Sequence, residues 1–172
     1  SVYFCDFIIS QRFFLVNQIE KNILRVLLHF MVRYAIINSN NVPFFGICLG
    51  MQMAVIEAAQ HLLGIEDASS SEFGTKCTPV ISKMKVWEKD GVQCIRPDNG
   101  DLGGTMRLGA YPCVLKEGSL AHKIYNKENI EERHRHRYEM DISYEGQLKE
   151  KGFIVSGKSP DGLLPEIVEI EG

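Results

Sequence analysis

Gly46-Ile47-Cys48-Leu49-Gly50 is the stretch that most restricts how this chain can fold. It follows the apolar run Val42-Pro43-Phe44-Phe45, expected as a short strand within residues 40–47. It precedes residues 51–63, which read as a helix closed by Gly64. A chain that passes from strand to helix over so few residues must bend sharply. A glycine on each side of the bend removes the side chains that would hold the two elements apart. The form G-x-C-x-G is that of a nucleophile elbow with sulfur in place of the serine oxygen. A thiol there stands at a helix N-terminus, where the partial positive charge favours the thiolate. The Leu49 amide would face an oxyanion forming on a bound carbonyl. A buried structural cysteine followed by a packing glycine is the plain alternative, and the strand–turn–helix context weighs against it.

The remaining pattern places that corner in an α/β chain. Residues 3–9 read as a buried strand and 11–40 as mostly helical, with Ile23, Leu24, Leu27, Leu28, Met31 and Tyr34 spaced by three and four. Residues 66–79 read as a polar loop, 80–87 as a strand, 96–104 as a turn-rich connection and 105–115 as strand and turn. A short helix is expected over 119–125 with Ser119 as its N-cap. Residues 132–140 alternate like a strand, 144–152 read as a short helix capped by Gly152, and 153–159 and 165–171 as two last strands. Strand and helix alternate early and short strands dominate later. The expected architecture is an open, mostly parallel sheet with helices on both faces and an antiparallel extension.

The 172 residues fit one domain, and 45% hydrophobic content allows a sizeable core. A net charge of -3 gives no general affinity for nucleic acid or anionic membrane. The five cysteines are scattered, with no C-x-x-C pair and no secretory leader, which points to a reducing cytoplasm. The chain begins without Met and stops after a strand-like run, so both ends read as cut and a fragment is expected.

Two further stretches carry chemistry-bearing residues. In Glu132-Arg133-His134-Arg135-His136-Arg137-Tyr138-Glu139, a strand would put the arginines on one face and His134 and His136 on the other. Such a pair could be half a metal site, but no third ligand is evident and no metal is expected. A nucleic-acid stripe is opposed by the flanking acids, and a solvated edge strand is the plain reading. Gly100-Asp101-Leu102-Gly103-Gly104-Thr105-Met106-Arg107-Leu108-Gly109 has glycine enough for a phosphate cradle but lacks the lysine and the helix.

The stretch "PFFGICLGMQMAVIEAAQHLLGIEDASSSEF", with "DLGGTMRLG" and "ERHRHRYEM", resembles the glutaminase domain of the CTP synthase family, a branch of the class I (triad-type) glutamine amidotransferases. The resemblance runs from about Arg33 to the end, and residues 1–32 are atypical. It implies a flavodoxin-like fold. It implies that Cys48 attacks the side-chain amide of glutamine, giving a glutamyl thioester that water hydrolyses. It assigns glutamine binding to Leu49, Gly50, Met51, Gln52, Glu72 and Arg137, with Glu72 answering the ammonium and Arg137 the carboxylate. It places "DLGGTMRLG" near a synthetase interface. It implies L-glutamine as substrate, no cofactor in this domain, and ATP and Mg only for the partner amidoligase domain that converts UTP to CTP. Family members form homo-oligomers, as tetramers.

The family's triad also needs a His-Pro-Glu motif. None of His29, His61, His122, His134 and His136 has that context, and the motif would fall just past Gly172. The family's Pro-Gly-Gly-Phe-Gly loop has no match either, since no glycine precedes Gly46. The amidoligase domain and the His-Pro-Glu region are therefore expected to be absent, and the chain as written is expected to be inactive. The competing expectations are a degenerate, non-catalytic or partner-binding remnant, and another cysteine hydrolase of the same fold.

Overall fold

Helix α1 (Leu49–Leu62) is buried on every side from Met53 to Ala59, so the domain is built around it. The computed structural model describes residues 44–74, 76–83, 86–89, 92–95 and 106–170. Met53, Val55 and Ile56 of α1 share one core with Val80, Ile81, Met140, Phe153 and Val155. The helix ends where Gly64 takes φ 72°, a value that favours glycine, and the Ile65 N–H turns back to the Ala59 carbonyl at 3.1 Å.

The described strands form three sheets. Strand β1 (Ala68–Ser70) lies parallel to β2 (Thr78–Lys83), which is antiparallel to β7 (Tyr138–Met140) on its other side. Strands β3 (Val86–Lys89) and β4 (Val92–Ile95) form an antiparallel hairpin. The third sheet has the order β6-β5-β8-β9, from β5 (Arg107–Leu115), β6 (Asn129–His136), β8 (Phe153–Lys158) and β9 (Pro165–Ile170). Strands β5 and β6 pair from Arg107↔His136 to Val114↔Asn129. Between them runs α2 (Leu120–Tyr125), whose N-cap Ser119 accepts from the His122 N–H as its sequence position predicts. The Glu169 carboxylate accepts from the Leu120 and Ala121 N–H groups at 3.0 and 2.7 Å. A 3₁₀ turn (Ile142–Tyr144) and α3 (Glu145–Lys149) lead from β7 to β8, with Gly152 at φ 79°.

The sequence expectations differ from this arrangement at several places, among them residues 132–140, expected as one strand and found divided between β6 and β7 of different sheets. Residues 44–47 are irregular rather than a strand, and the loop 66–79 contains β1. The strand expected over 80–87 is split between two sheets, because β2 pairs with β1 and β7 while β3 pairs with β4. Residues 107–115 form one unbroken strand despite Gly109 and Pro112, since β6 pairs with it along nearly its whole length. The strand expected at 3–9, the helix at 11–40 and the connection at 96–104 lie outside the described residues. Among the described residues no helix is long and apolar enough to cross a membrane.

One glycine sets how closely the chain before the elbow meets α1. A Cβ on Gly46 would stand 2.6 Å from the Gly50 carbonyl carbon, whereas a Cβ on Gly50 would meet nothing within 4 Å. Gly46→Ala is therefore expected to destabilise the fold by about 1–3 kcal/mol, because backbone must move. Gly50→Ala is expected to shift stability by less than about 1 kcal/mol, in the stabilising direction. Urea unfolding of the two variants checks the contrast.

Candidate active site

Cys48 is the N-cap of α1 and holds φ 55°, ψ -110°, a conformation that costs a non-glycine residue about 1–3 kcal/mol. Among the described residues only Asn126 shares a positive φ without being glycine. The turn is fastened by the Gly50 N–H to the Ile47 carbonyl at 2.9 Å and the Gln52 N–H to the Cys48 carbonyl at 3.1 Å. The strain lifts the thiol out of the helix line and leaves Cys48 exposed. The sequence expectation of a favoured thiolate is corrected here. Desolvation by the surrounding protein pushes the thiol up from its ordinary value, and the charges of Glu72 and Glu139 push the same way. The Leu49 N–H hydrogen-bonds the sulfur and pulls it down, but is outweighed.

The strand order explains why distant residues meet here. Glu72 follows β1, whose Ser70 pairs with Ile81, and Arg137 precedes β7, whose Tyr138 pairs with Lys83. Both therefore stand at the C-terminal end of β2, where ligands of open α/β sheets bind. Glu72 is exposed, its backbone N–H held by Ser70 Oγ at 3.2 Å, and its charge reaches the Cys48 sulfur. Gln52 Nε2 donates to the Tyr138 carbonyl at 3.0 Å, so part of its side chain ties α1 to the residue after Arg137. Arg137 is half-buried, and its Nε is shut off from solvent without a hydrogen-bond partner among the described residues. Leu49 and Met51 are half-buried and Gly50 is buried at the start of α1. A cleft of about 390 Å³ lies instead under the Glu72 turn, walled by Met53, Ile56, Gln60, Phe73 and Cys77, and Cys48 does not line it.

A group that the sequence reading did not assemble lies behind the Arg137 bend. Arg107 is 1% exposed. It donates through Nη1 to Glu139 Oε1 at 3.1 Å and through Nη2 to Glu166 Oε1 at 2.7 Å. Its guanidinium carbon is 4.4 Å from the centre of the Tyr111 ring, which His134 meets edge-on. His134 Nδ1 and His136 Nε2 are 2.8 Å apart. The other nitrogens face carboxylates, His134 Nε2 at 3.2 Å from Glu166 and His136 Nδ1 at 3.3 Å from Glu139. The alternation that turns both histidines inward and Arg133 and Arg135 outward was legible in the sequence. Their partners were not, because they come from β5, β7 and β9. Burial raises Glu139 to about 8 against the pull of Arg107. Burial also raises Glu166, again opposed by Arg107, with Asp161 and Glu132 adding to the rise. Burial first, then the Arg107 charge, lowers His134 to about 3 and His136 to about 4.

Residues 17–172 match the family described as Glutamine amidotransferase class-I, and the chain belongs to that family. Its fold is the α/β fold of that class. Within it, the chain is similar to CTP synthases. It is 61% identical over 130 residues to that of Zymomonas mobilis, covering 76% of this chain and 24% of the relative. It is 54% identical over 142 residues to that of Hyphomonas neptunium, covering 83% and 26%. It therefore spans about a quarter of the length of these relatives. A solved structure of the Trypanosoma brucei CTPS glutaminase domain with bound acivicin superposes with a TM-score of 0.66 at 31% identity, covering 86% of this chain and 52% of that one.

The cluster makes stability depend on pH in a defined sense. From pH 4.5 to 6.5 the unfolded chain binds two histidine protons that the native chain refuses, while the native chain keeps one proton on Glu139. On these three groups the unfolded state then holds one proton more and stability rises with pH, less steeply toward pH 4.5, where the raised Glu166 also keeps a native proton. Between pH 6.5 and about 8 only the Glu139 difference remains, the native state holds more, and stability falls. A maximum near pH 6.5 is expected, with flanks on the order of 1 kcal/mol per pH unit, checked by thermal unfolding across pH.

Proposed function

We propose that the chain is the glutamine-hydrolysing part of a CTP synthase, supplying ammonia to an amidoligase domain that converts UTP to CTP with ATP, in a reducing cytoplasm. One observation carries the chemical reading. A strained, exposed thiol at a helix start shares one sheet end with a carboxylate and with an arginine that has a buried, unpartnered donor. Free glutamine has the complementary charges, its ammonium for Glu72 and its α-carboxylate for Arg137.

In this reading Cys48 Sγ adds to the side-chain amide carbon and the carbon–nitrogen bond breaks. Ammonia carries off the thiol proton, and a γ-glutamyl thioester remains. Water then cleaves the thioester to glutamate and restores the thiol. The Leu49 N–H, now on the sulfur, is placed to turn to the carbonyl oxygen as negative charge develops there. Among the described residues no imidazole or carboxylate is bonded to the Cys48 sulfur, and a positioned acid–base is worth about 100- to 10,000-fold. Turnover by the 172-residue chain alone is therefore expected to be slow, and binding is the sharper readout.

Acivicin, bound in the T. brucei domain, is the probe. It is expected to label Cys48, read by peptide mass, with L-glutamine protecting. Cys113 is buried and pushed up to about 12, so it should not compete. Glu72→Gln and Arg137→Ala are each expected to slow acivicin labelling about tenfold or more relative to iodoacetamide labelling, which Glu72→Gln should not slow, since it removes a charge that pushes the Cys48 thiol up. Labelling that glutamine does not slow would remove the glutaminase reading in favour of a non-catalytic, partner-binding domain.

A further inference from the structure

Strands β6 and β7 are adjacent in sequence but belong to different sheets, and the chain changes sheet at Arg137. The bend therefore needs something to set its angle. On the near side, Arg107 and His136 are directly paired across β5 and β6, which puts them on one face together with His134. On the far side, Glu139 in β7 turns inward to the same place, and Glu166 reaches it from β9. Arg107 thus bonds both sheets at once. The tie from Gln52 to the Tyr138 carbonyl connects the same bend to the elbow helix.

We propose that Arg107, Glu139, Glu166, His134 and His136 form a buried clamp that fixes the bend at Arg137, and that they are positioning residues for the arginine that grips the substrate's α-carboxylate. The second half rests on the glutamine reading above. The first half stands on the clamp geometry alone.

Charge balance shows why the clamp can be buried. His134 and His136 share one hydrogen bond, Nδ1 to Nε2 at 2.8 Å, and Arg107 bonds both carboxylates. Glu166 stands 3.2 Å from His134 and Glu139 3.3 Å from His136, electrostatic contacts without hydrogen-bond geometry. With two neutral imidazoles, one protonated carboxyl group and one carboxylate, the group with Arg107 has no net charge, which is the condition for burying five ionisable groups together. The raised Glu139 and the lowered histidines agree with that distribution. Removing either carboxylate leaves the guanidinium short of a partner and releases the bend.

The test uses the 172-residue chain with two readouts: labelling of Cys48 by acivicin against iodoacetamide, and amide exchange at residues 138–140 against the elbow helix. In Glu166→Gln and Glu139→Ala, exchange at 138–140 is expected to quicken and acivicin labelling to fall, each about tenfold, with iodoacetamide labelling and elbow-helix exchange unchanged. Should Glu166→Gln not fold, the double variant His134→Gln/His136→Gln keeps all three charged residues and takes its place under the same two readouts. A folded Glu166→Gln chain with parent exchange and parent labelling overturns the clamp, and so does equal slowing of both reagents. A parent chain that acivicin does not label overturns the glutamine reading. Exchange at 138–140 then decides the clamp alone, faster in the variants if it holds and unchanged if it does not.

Discussion

The salt links of Arg107 tie together, at the Arg137 bend, two sheets that also share the apolar core. A buried guanidinium is expensive to desolvate, and here two carboxylates, an aromatic face and two imidazoles surround it. Such a group gives little net stability compared with well-packed apolar side chains, yet losing one partner costs about 3–5 kcal/mol. It works by direction rather than by amount. Apolar contacts between β6 and β7 would tolerate a slide of an ångström or two. Paired donors at 2.7 and 3.1 Å on opposite sides of one planar cation do not.

The elbow rests on a different constraint, close backbone approach. Gly46 lets the chain before the turn lie against Gly50, an approach that a Cβ there would block. The buried length of α1 supplies the opposing free energy, since Met53 to Ala59 cannot leave the core to let the turn relax. The strain is thus held by the buried middle of the helix, beyond its first turn.

These two constraints differ in how far they could be read from sequence. The elbow is local, and Gly46, Cys48, Gly50 and the helix after them announce it within a few residues. The Ser119 cap and the inward turn of His134 and His136 are local too, one a hydroxyl at a helix start and the other a strand alternation. The clamp is not local. Arg107 is separated by 32 residues from Glu139 and by 59 from Glu166, and no periodicity relates them. The split of residues 80–87 between two sheets and the end of β6 at His136 are hidden for the same reason, because strand partners decide them. The state of the thiol was misjudged because a helix terminus can be read from sequence, whereas desolvation and the carboxylates beside the sulfur cannot.

The clamp and the thiol are also electrically connected, because Glu139 belongs to the first and acts on the second. While Glu139 holds its proton it is neutral, and its push on the sulfur is absent. As pH rises through about 8 that proton leaves and a negative charge appears near the thiol. The thiol then becomes harder to ionise over the range in which it would otherwise begin to do so. Raising the pH is thus a poor way to activate Cys48. A ligand ammonium on Glu72 would act in the opposite sense, offsetting a carboxylate that now raises the thiol. Under the proposed glutamine reading, occupation of the site by a substrate of that charge pattern would therefore move Cys48 toward its reactive form.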